Sequence, residues 1–334
     1  MELVHEKTGQ NGLVSTNNYR PLGNSGLMVS TIGLGCNNFG RPNTQTATQD
    51  GTSAVINTAI DAGINFFDTA DVYGGSAKGL SETLMGVALK DRRDEVVIAT
   101  KFGGDMAGAN GPDWDARASR RYIRRAVESS LTRLQTDWID LYQLHRPDGI
   151  TPMEETLAAL GELIDEGKIR YIGHSNLSGW QIADAEYRAK EAGLPKFISA
   201  QNEYSLLARG IEAEVLPAIN EYGLGLLPFF PLFNGLFTGK YTRGGGPADG
   251  RLTSRPEELD SVPWDAMEKF QSFCDERGVT MLDATIAWFL AQPGVSSIIA
   301  GATKPEQVLQ NAAAGTAWHP TADELAQISE LFPA

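Results

Sequence analysis

Two kinds of hydrophobic spacing alternate along this chain. Short, mostly apolar runs recur, and between them lie longer stretches in which apolar positions return at helical spacing. The first pattern is that of a buried strand, the second that of an amphipathic helix. The chain opens with a β-hairpin signal over 19–30, where Gly23, Asn24, Ser25 and Gly26 separate two apolar pieces. Strands are then expected at 31–36, 64–68, 95–101, 138–145, 169–175, 197–201, 225–229 and 295–300. Helices are expected near 50–62, 79–90, 119–135, 153–166, 179–192, 211–221, 264–277 and 280–291, with another opening after Gly301. Strands alternating with helices argue for a parallel sheet, and eight such units close a (β/α)8 barrel. The expected fold is therefore α/β, a TIM barrel with the N-terminal β-hairpin as a plug at its bottom. No low-complexity break divides the chain, so 19–334 reads as one domain. Residues 1–18 read as a polar arm with no signal-peptide core.

Barrel interiors are filled by apolar layers, and active sites lie at the C-terminal ends of the strands. Polar residues at those ends are therefore informative. The second strand runs into Asp68, with Tyr73 and Gly74-Gly75 just beyond it. The third ends at Lys101, the fourth at His145, the fifth at Ser175-Asn176 and the sixth at Gln201. Any one of these could be a helix cap or a packed loop residue. Five successive strands ending this way at one rim read instead as a site.

The chemistry of the set is legible. A free tyrosine is a weak acid with a pKa of about 10. A nearby ammonium favours its phenolate and lowers that value. A half-buried lysine in turn needs a counter-charge, which Asp68 can supply. His145 can polarise a carbonyl or orient a substrate. Together they suit delivery of a proton to an oxygen as hydride arrives at the attached carbon. The set holds no Ser-His-Asp nucleophile and no metal ligands.

Composition narrows the classes. The 334 residues are 42% hydrophobic and 21% charged, as in soluble globular proteins. No apolar run reaches the length of a membrane span. A net charge of -14 argues against nucleic acid or an anionic membrane as partner. It leaves room for a few local cations around an anionic cofactor. Cys36 and Cys274 form no disulfide framework, and four scattered histidines suggest no metal site. Cys36 reads as a small buried residue. The expectation is a cytoplasmic, metal-free protein, with a monomer as the default state.

Several motifs stand in the order and spacing of a known family: Phe67-Asp68-Thr69-Ala70 with Tyr73-Gly74, Lys101-Phe102-Gly103, Tyr142-Gln143-Leu144-His145 and Gly173-His174-Ser175-Asn176. Gln201-Asn202-Glu203-Tyr204, the run from Gly235 to Tyr241 and the run from Gly301 to Gln307 continue it. Over about residues 19–331 the chain resembles the aldo-keto reductase family. Its opening Arg20-Pro21-Leu22-Gly23 is more similar to the bacterial and potassium-channel-β-like branches.

The resemblance implies a nicotinamide cofactor, NADPH/NADP+ rather than NADH, extended across the rim. It implies hydride transfer to the carbonyl of a small-molecule aldehyde or ketone. By motif, Tyr73 is the general acid, Lys101 lowers its pKa, Asp68 pairs with Lys101, and His145 orients the carbonyl. Ser175, Asn176 and Gln201 would hold the nicotinamide carboxamide. Gly301, Thr303 and Lys304 precede Pro305 at a helix start, which is an anion site on physical grounds alone. The resemblance puts the adenosine 2′-phosphate there, with Gln307, Gln310 and Asn311 in contact. Gly35, Phe229, Leu232 and Asn234 complete the cofactor set, and Lys240 and Arg251 would meet the pyrophosphate.

Two departures stand out. Phe229-Phe230-Pro231 replaces the common Tyr-Ser-Pro, which removes a hydroxyl and adds a bulky ring beside the pyrophosphate. Gln307 stands where some branches place an arginine for the 2′-phosphate, leaving Lys304 as the main discriminating charge. The run Gly33-Leu34-Gly35 is no dinucleotide fingerprint, because the third glycine is misplaced and no helix follows directly. Loops 103–119, 146–150 and 232–262 would wall the substrate pocket, with Phe39, Trp114 and Phe233 as candidate apolar walls. The same residues could serve an NADP-dependent alcohol or sugar dehydrogenase, or a low-turnover NADPH-binding redox-sensor subunit.

Overall fold

The computed structural model describes residues 19–248 and 250–334; the polar arm expected at 1–18 lies outside the described residues. The chain begins with an antiparallel pair, β1 (Tyr19–Pro21) and β2 (Met28–Ser30). Eight parallel strands follow: β3 (Ile32–Gly35), β4 (Phe66–Asp68), β5 (Val97–Phe102), β6 (Ile139–Leu144), β7 (Ile169–Ser175), β8 (Ser199–Gln201), β9 (Gly225–Leu226) and β10 (Ile298–Gly301). They pair in sequence order from β3 to β9, with β10 beside β3. The last seam, between β9 and β10, is closed by single bonds. Leu226 N donates to Gly294 O at 2.7 Å, Ser296 N to Leu226 O at 3.0 Å, and Ile299 N to Pro228 O at 3.2 Å. The result is a (β/α)8 barrel.

β9 is shorter than the expected 225–229 for a chemical reason. Pro228 has no N–H for the ladder, and Phe230 stands at φ 54°, outside strand geometry. The helices are α1 (Gln49–Asp61), α2 (Leu80–Leu89), α3 (Arg120–Leu134), α4 (Met153–Asp165), α5 (Gly179–Ala192), α6 (Val215–Tyr222), α7 (Pro256–Asp260), α8 (Trp264–Arg277), α9 (Met281–Leu290), α10 (Pro305–Ala317) and α11 (Ala322–Leu331). Their ends carry local signals. Ser119 Oγ accepts from Tyr122 N at the start of α3, and Thr280 with Asp283 makes a capping box on α9. α11 was not anticipated, although Thr321 and Glu324 form the same box there.

Alternation along each strand sorts side chains onto two faces. Phe66, Ala99, Leu141, Leu227 and Ile299 face inward and pack with Leu22, Leu27 and Val29 of the hairpin. Phe67, Ile98, Tyr142, Leu144 and Ile172 face outward into the larger core shared with the helices. The hairpin thus fills the barrel floor. Arg20 fastens it by donating to Val295 O at 3.0 Å and Leu290 O at 3.1 Å. Gly23 is required at its tip: its φ is +55°, and a Cβ would lie 2.5 Å from Ile198 O. With the floor sealed, polar residues can gather only at the other end. Among the described residues, no helix is long and apolar enough to cross a membrane.

Candidate active site

The layer above the apolar floor is polar. Asp68 ends β4, Lys101 lies near the end of β5, Gln143 near the end of β6, and Gln201 ends β8. Register pairs Lys101 with Gln143 across β5 and β6. Lys101 is fully buried, so its ammonium must be compensated. Nζ donates to Asp68 Oδ2 at 2.6 Å, to Thr69 O at 2.8 Å and to the Tyr73 hydroxyl at 3.5 Å. Its three protons therefore have three acceptors. Asp68 Oδ1 in turn accepts from Gln201 Nε2 at 2.8 Å and Gln143 Nε2 at 3.2 Å.

Burial disfavours charge on Lys101, yet Asp68 and Tyr73 overcome it and hold its pKa above the ordinary lysine value. The Tyr73 hydroxyl goes the other way from the sequence expectation. Burial raises its pKa, Lys101 pulls it down, and Asp68 pushes it up again, so the net shift is upward. The pull of Lys101 is present, but burial outweighs it and its carboxylate partner opposes it.

His145 follows β6, with its ring edge-on to Tyr73 at 6.0 Å between centroids. Burial first, then Lys101 and Arg146, push its pKa down to about 3. At neutral pH it is an uncharged imidazole, with Nδ1 buried and unpartnered. The neighbouring His174 faces the helix layer, edge-on to Phe197, and lies outside the site.

The expected carboxamide residues form one connected group. Ser175 Oγ donates to Gln201 O at 2.8 Å, and Asn176 Nδ2 donates to His145 O at 3.0 Å. Asn176 stands at φ 60°, an uncommon backbone state that asparagine tolerates. The amide nitrogen of Gln201 is committed to Asp68 and Gln143. Gln143 itself is a site residue that its motif, Tyr142-Gln143-Leu144-His145, does not single out. Its signal was a polar side chain at an inward position of a strand.

Around the rim the chain supplies cations. The guanidinium of Arg251 sits 5.5 Å above the Phe230 ring. Burial lowers its pKa, and Arg41 and Arg255 lower it further, so three arginines share one region. Arg251 Nε is buried with no partner, as is Asn234 Oδ1. Arg41 bonds Asn38, and Asn38 Nδ2 lies 3.0 Å from where a Cβ on Gly301 would stand. Asn38 and Arg41 therefore lie beside the end of β10, close to Gly35 at the end of β3, which pairs with Gly301. Lys240 folds back over Gly235. Leu232 is buried at the start of a turn, and Phe229 packs against Phe230 at 5.3 Å. Arg41 and Arg255 carried no sequence signal, because loop arginines are ordinary.

At the start of α10, Gln307 Oε1 accepts from Thr303 N at 2.8 Å, so its side chain serves the helix's own first turn. Lys304 occupies the N-cap position, Asn311 is buried and Gln310 is exposed. Arginines, orphaned buried polar atoms and a side-chain-free β3–β10 rim fit an extended anionic ligand such as a nicotinamide dinucleotide. No group of His, Cys, Asp and Glu among the described residues is arranged for a metal ion.

One of the three expected pocket walls differs. Phe39 is fully buried in the core between barrel and helices, so it presents no wall. Trp114 is 68% exposed, with Arg121 stacked on it at 4.5 Å. Phe233 packs partly into the core at φ 42°. Cys36 is buried and its thiol pKa is pushed up by burial, as an inert residue's would be.

Residues 31–332 match the family model described as the aldo/keto reductase family. The chain is 39% identical over 304 residues to a probable voltage-gated potassium channel subunit beta of Oryza sativa subsp. japonica, covering 88% of this chain and 89% of that one. It is 38% identical over 296 residues to an uncharacterized oxidoreductase of Bacillus subtilis, covering 87% and 88%. It is 32% identical over 325 residues to an L-glyceraldehyde 3-phosphate reductase of Escherichia coli O157:H7, covering 93% and 91%.

Proposed function

This chain belongs to the aldo/keto reductase family and is an oxidoreductase acting on carbonyl groups; from that premise we propose that it reduces an aldehyde or ketone with NADPH, with Tyr73 as the proton donor. The observation that carries the reading is the chain of contacts Asp68–Lys101–Tyr73 beside a neutral His145. Bound NADPH supplies the hydride for the carbonyl carbon. Tyr73 holds the proton for the carbonyl oxygen, and burial keeps it on the hydroxyl through neutral pH. As that proton leaves, the Lys101 ammonium stabilises the phenolate left behind. Asp68, steadied by Gln143 and Gln201, keeps Lys101 charged and in line. His145, being uncharged, offers the substrate a hydrogen bond rather than a competing cation.

For the cofactor, Ser175, Asn176 and Gln201 are assigned to the carboxamide and Phe229 to the nicotinamide face. Gly35, Leu232, Asn234, Lys240 and Arg251, joined by Arg41 and Arg255, are assigned to the pyrophosphate. Gly301, Thr303, Lys304, Gln307, Gln310 and Asn311 take the adenosine end. Support comes from the cationic rim on an otherwise acidic protein.

A second reading, a low-turnover NADPH-binding subunit, draws on the relative named as a channel subunit. The deciding experiment is NADPH and NADH oxidation against a panel of aldehydes and ketones. Turnover is expected, and Tyr73→Phe should lower it by about 10² to 10⁴-fold with cofactor affinity unchanged. Tight NADPH binding without turnover would favour the second reading. Activity of Tyr73→Phe within a few-fold of wild type would remove Tyr73 from its role.

A further inference from the structure

Beneath the turn that carries Tyr73 lies a second polar cluster, which the chemistry above does not use. Asp71 is fully buried two residues before the tyrosine. Its own N–H donates to Lys101 O at 3.2 Å, and Thr69 N donates to Ala99 O at 2.8 Å, so the turn hangs on β5 by its backbone. Its carboxyl points the other way. Oδ2 accepts from Asn110 Nδ2 at 3.4 Å, while Oδ1 is buried and has no partner. Asn110 belongs to the loop after β5 and is itself buried. The same Nδ2 lies 3.3 Å from the Tyr122 hydroxyl, which donates to Gly104 O at 3.3 Å. A second contact runs parallel: Val72 packs so tightly on Gly104 that a Cβ there would lie 2.4 Å from Val72 Cγ1. Turn and loop are thus clamped at two adjacent points, one polar and one apolar.

We propose that Asp71 is a positioning residue for Tyr73: through Asn110 it ties the turn bearing the phenol to the 103–118 loop, so that seating the loop sets the phenol beside Lys101. The effect on rate rests on the role of Tyr73 proposed above; the tie between turn and loop does not.

The surroundings fix the form in which Asp71 acts. Glu82 of α2 faces it, held by Arg133 of α3 at 2.7 Å and by Thr100 of β5 at 2.5 Å. Tyr122 of α3 and Tyr142 of β6 complete the enclosure, and the Tyr142 hydroxyl is also buried without a partner. Lys101 turns only its backbone carbonyl to Asp71. Arg133 is already engaged by Glu82. Burial, and then the Glu82 charge, hold the Asp71 carboxyl well above the usual carboxylate range. It works as the acceptor for the Asn110 amide, and an asparagine offers an oxygen at the same place in nearly the same shape, with no charge to bury.

That equivalence supplies the test. Asp71→Ala and Asn110→Ala should each lower kcat by about 10- to 100-fold, the effect of a small misplacement of a reacting group. Cofactor Kd should stay within about two-fold of wild type, since no cofactor contact changes. The double variant should lose little more than either single one, because both cut one tie. Asp71→Asn should recover most of the rate. Amide hydrogen exchange, which needs no activity, should quicken across 103–118 in Asp71→Ala and return in Asp71→Asn. Additive losses, or no rescue by asparagine, would overturn the proposal. So would quickened exchange with kcat unchanged in an enzyme that Tyr73→Phe disables. If Tyr73→Phe itself is harmless, the functional reading fails, and the exchange data alone still decide whether the tie exists.

Discussion

At the scale of residues, the pair Lys101 and Tyr73 shows how one contact carries two opposed effects. Lys101 favours the phenolate, but it sits in a buried ion pair with Asp68 that is nearly neutral from a distance. Burial then prevails, helped by the Asp68 charge, and the phenol is held above its ordinary pKa. The consequence is directional. Reduction needs the protonated form and should be flat through neutrality. Alcohol oxidation needs the phenolate and should still be rising above a pH of about 10. Lys101→Met removes the one group that pulls the phenol pKa down. The basic limb of kcat/KM for oxidation should then move to still higher pH, and both directions should slow at pH 7. An unmoved limb with an undiminished rate would mean that Lys101 does not act on Tyr73. Asp71 lies outside this balance; it is expected to place the same phenol rather than tune it.

At the scale of elements, most of the fold was legible because its signals are local. α4, α5 and α8 start and end within a residue of the expected positions, since amphipathic spacing and terminal glycines mark them. β9 was overestimated because apolar content alone does not register a proline and a left-handed residue closing the strand. The hairpin was legible as a turn, and its burial explains its worth. Leu22 is fully buried against Phe66, Leu141 and Leu227 on the barrel floor. Leu22→Ala should destabilise the protein by about 2–5 kcal/mol, the range for a cavity left by a buried leucine. Chemical denaturation would read this as a lower midpoint. A loss below about 0.5 kcal/mol, the size of an ordinary surface substitution, would show that the hairpin is not part of the core.

At the scale of the whole molecule, charge is the organising quantity. A protein of net charge -14 repels a dinucleotide phosphate at long range, so the rim must concentrate its own cations. Arg251, Arg41 and Arg255 lie together there, and the partial burial of Arg251 would strengthen its pull on an anion. Arg251→Ala should weaken NADPH and NADH alike by about 1.5–3 kcal/mol, as for a lost charged hydrogen bond, and flatten the salt dependence of binding. Lys304→Ala should weaken NADPH by a similar amount and leave NADH nearly unchanged. Titration of both variants with both cofactors separates the pyrophosphate from the 2′-phosphate; equal losses in Lys304→Ala would take that lysine off the phosphate.

The sequence by itself determined the alternation of strands and helices, the polar residues at the strand ends, and hence the barrel and its reactive rim. These follow from period and order, which a chain carries residue by residue. Only the tertiary structure decided that Phe39 is core, that Gln143 supports Asp68, that Arg41 and Arg255 join Arg251, and that the Tyr73 pKa moves up. Each of those depends on distance and burial between residues far apart in the chain, and neither quantity is written in local spacing.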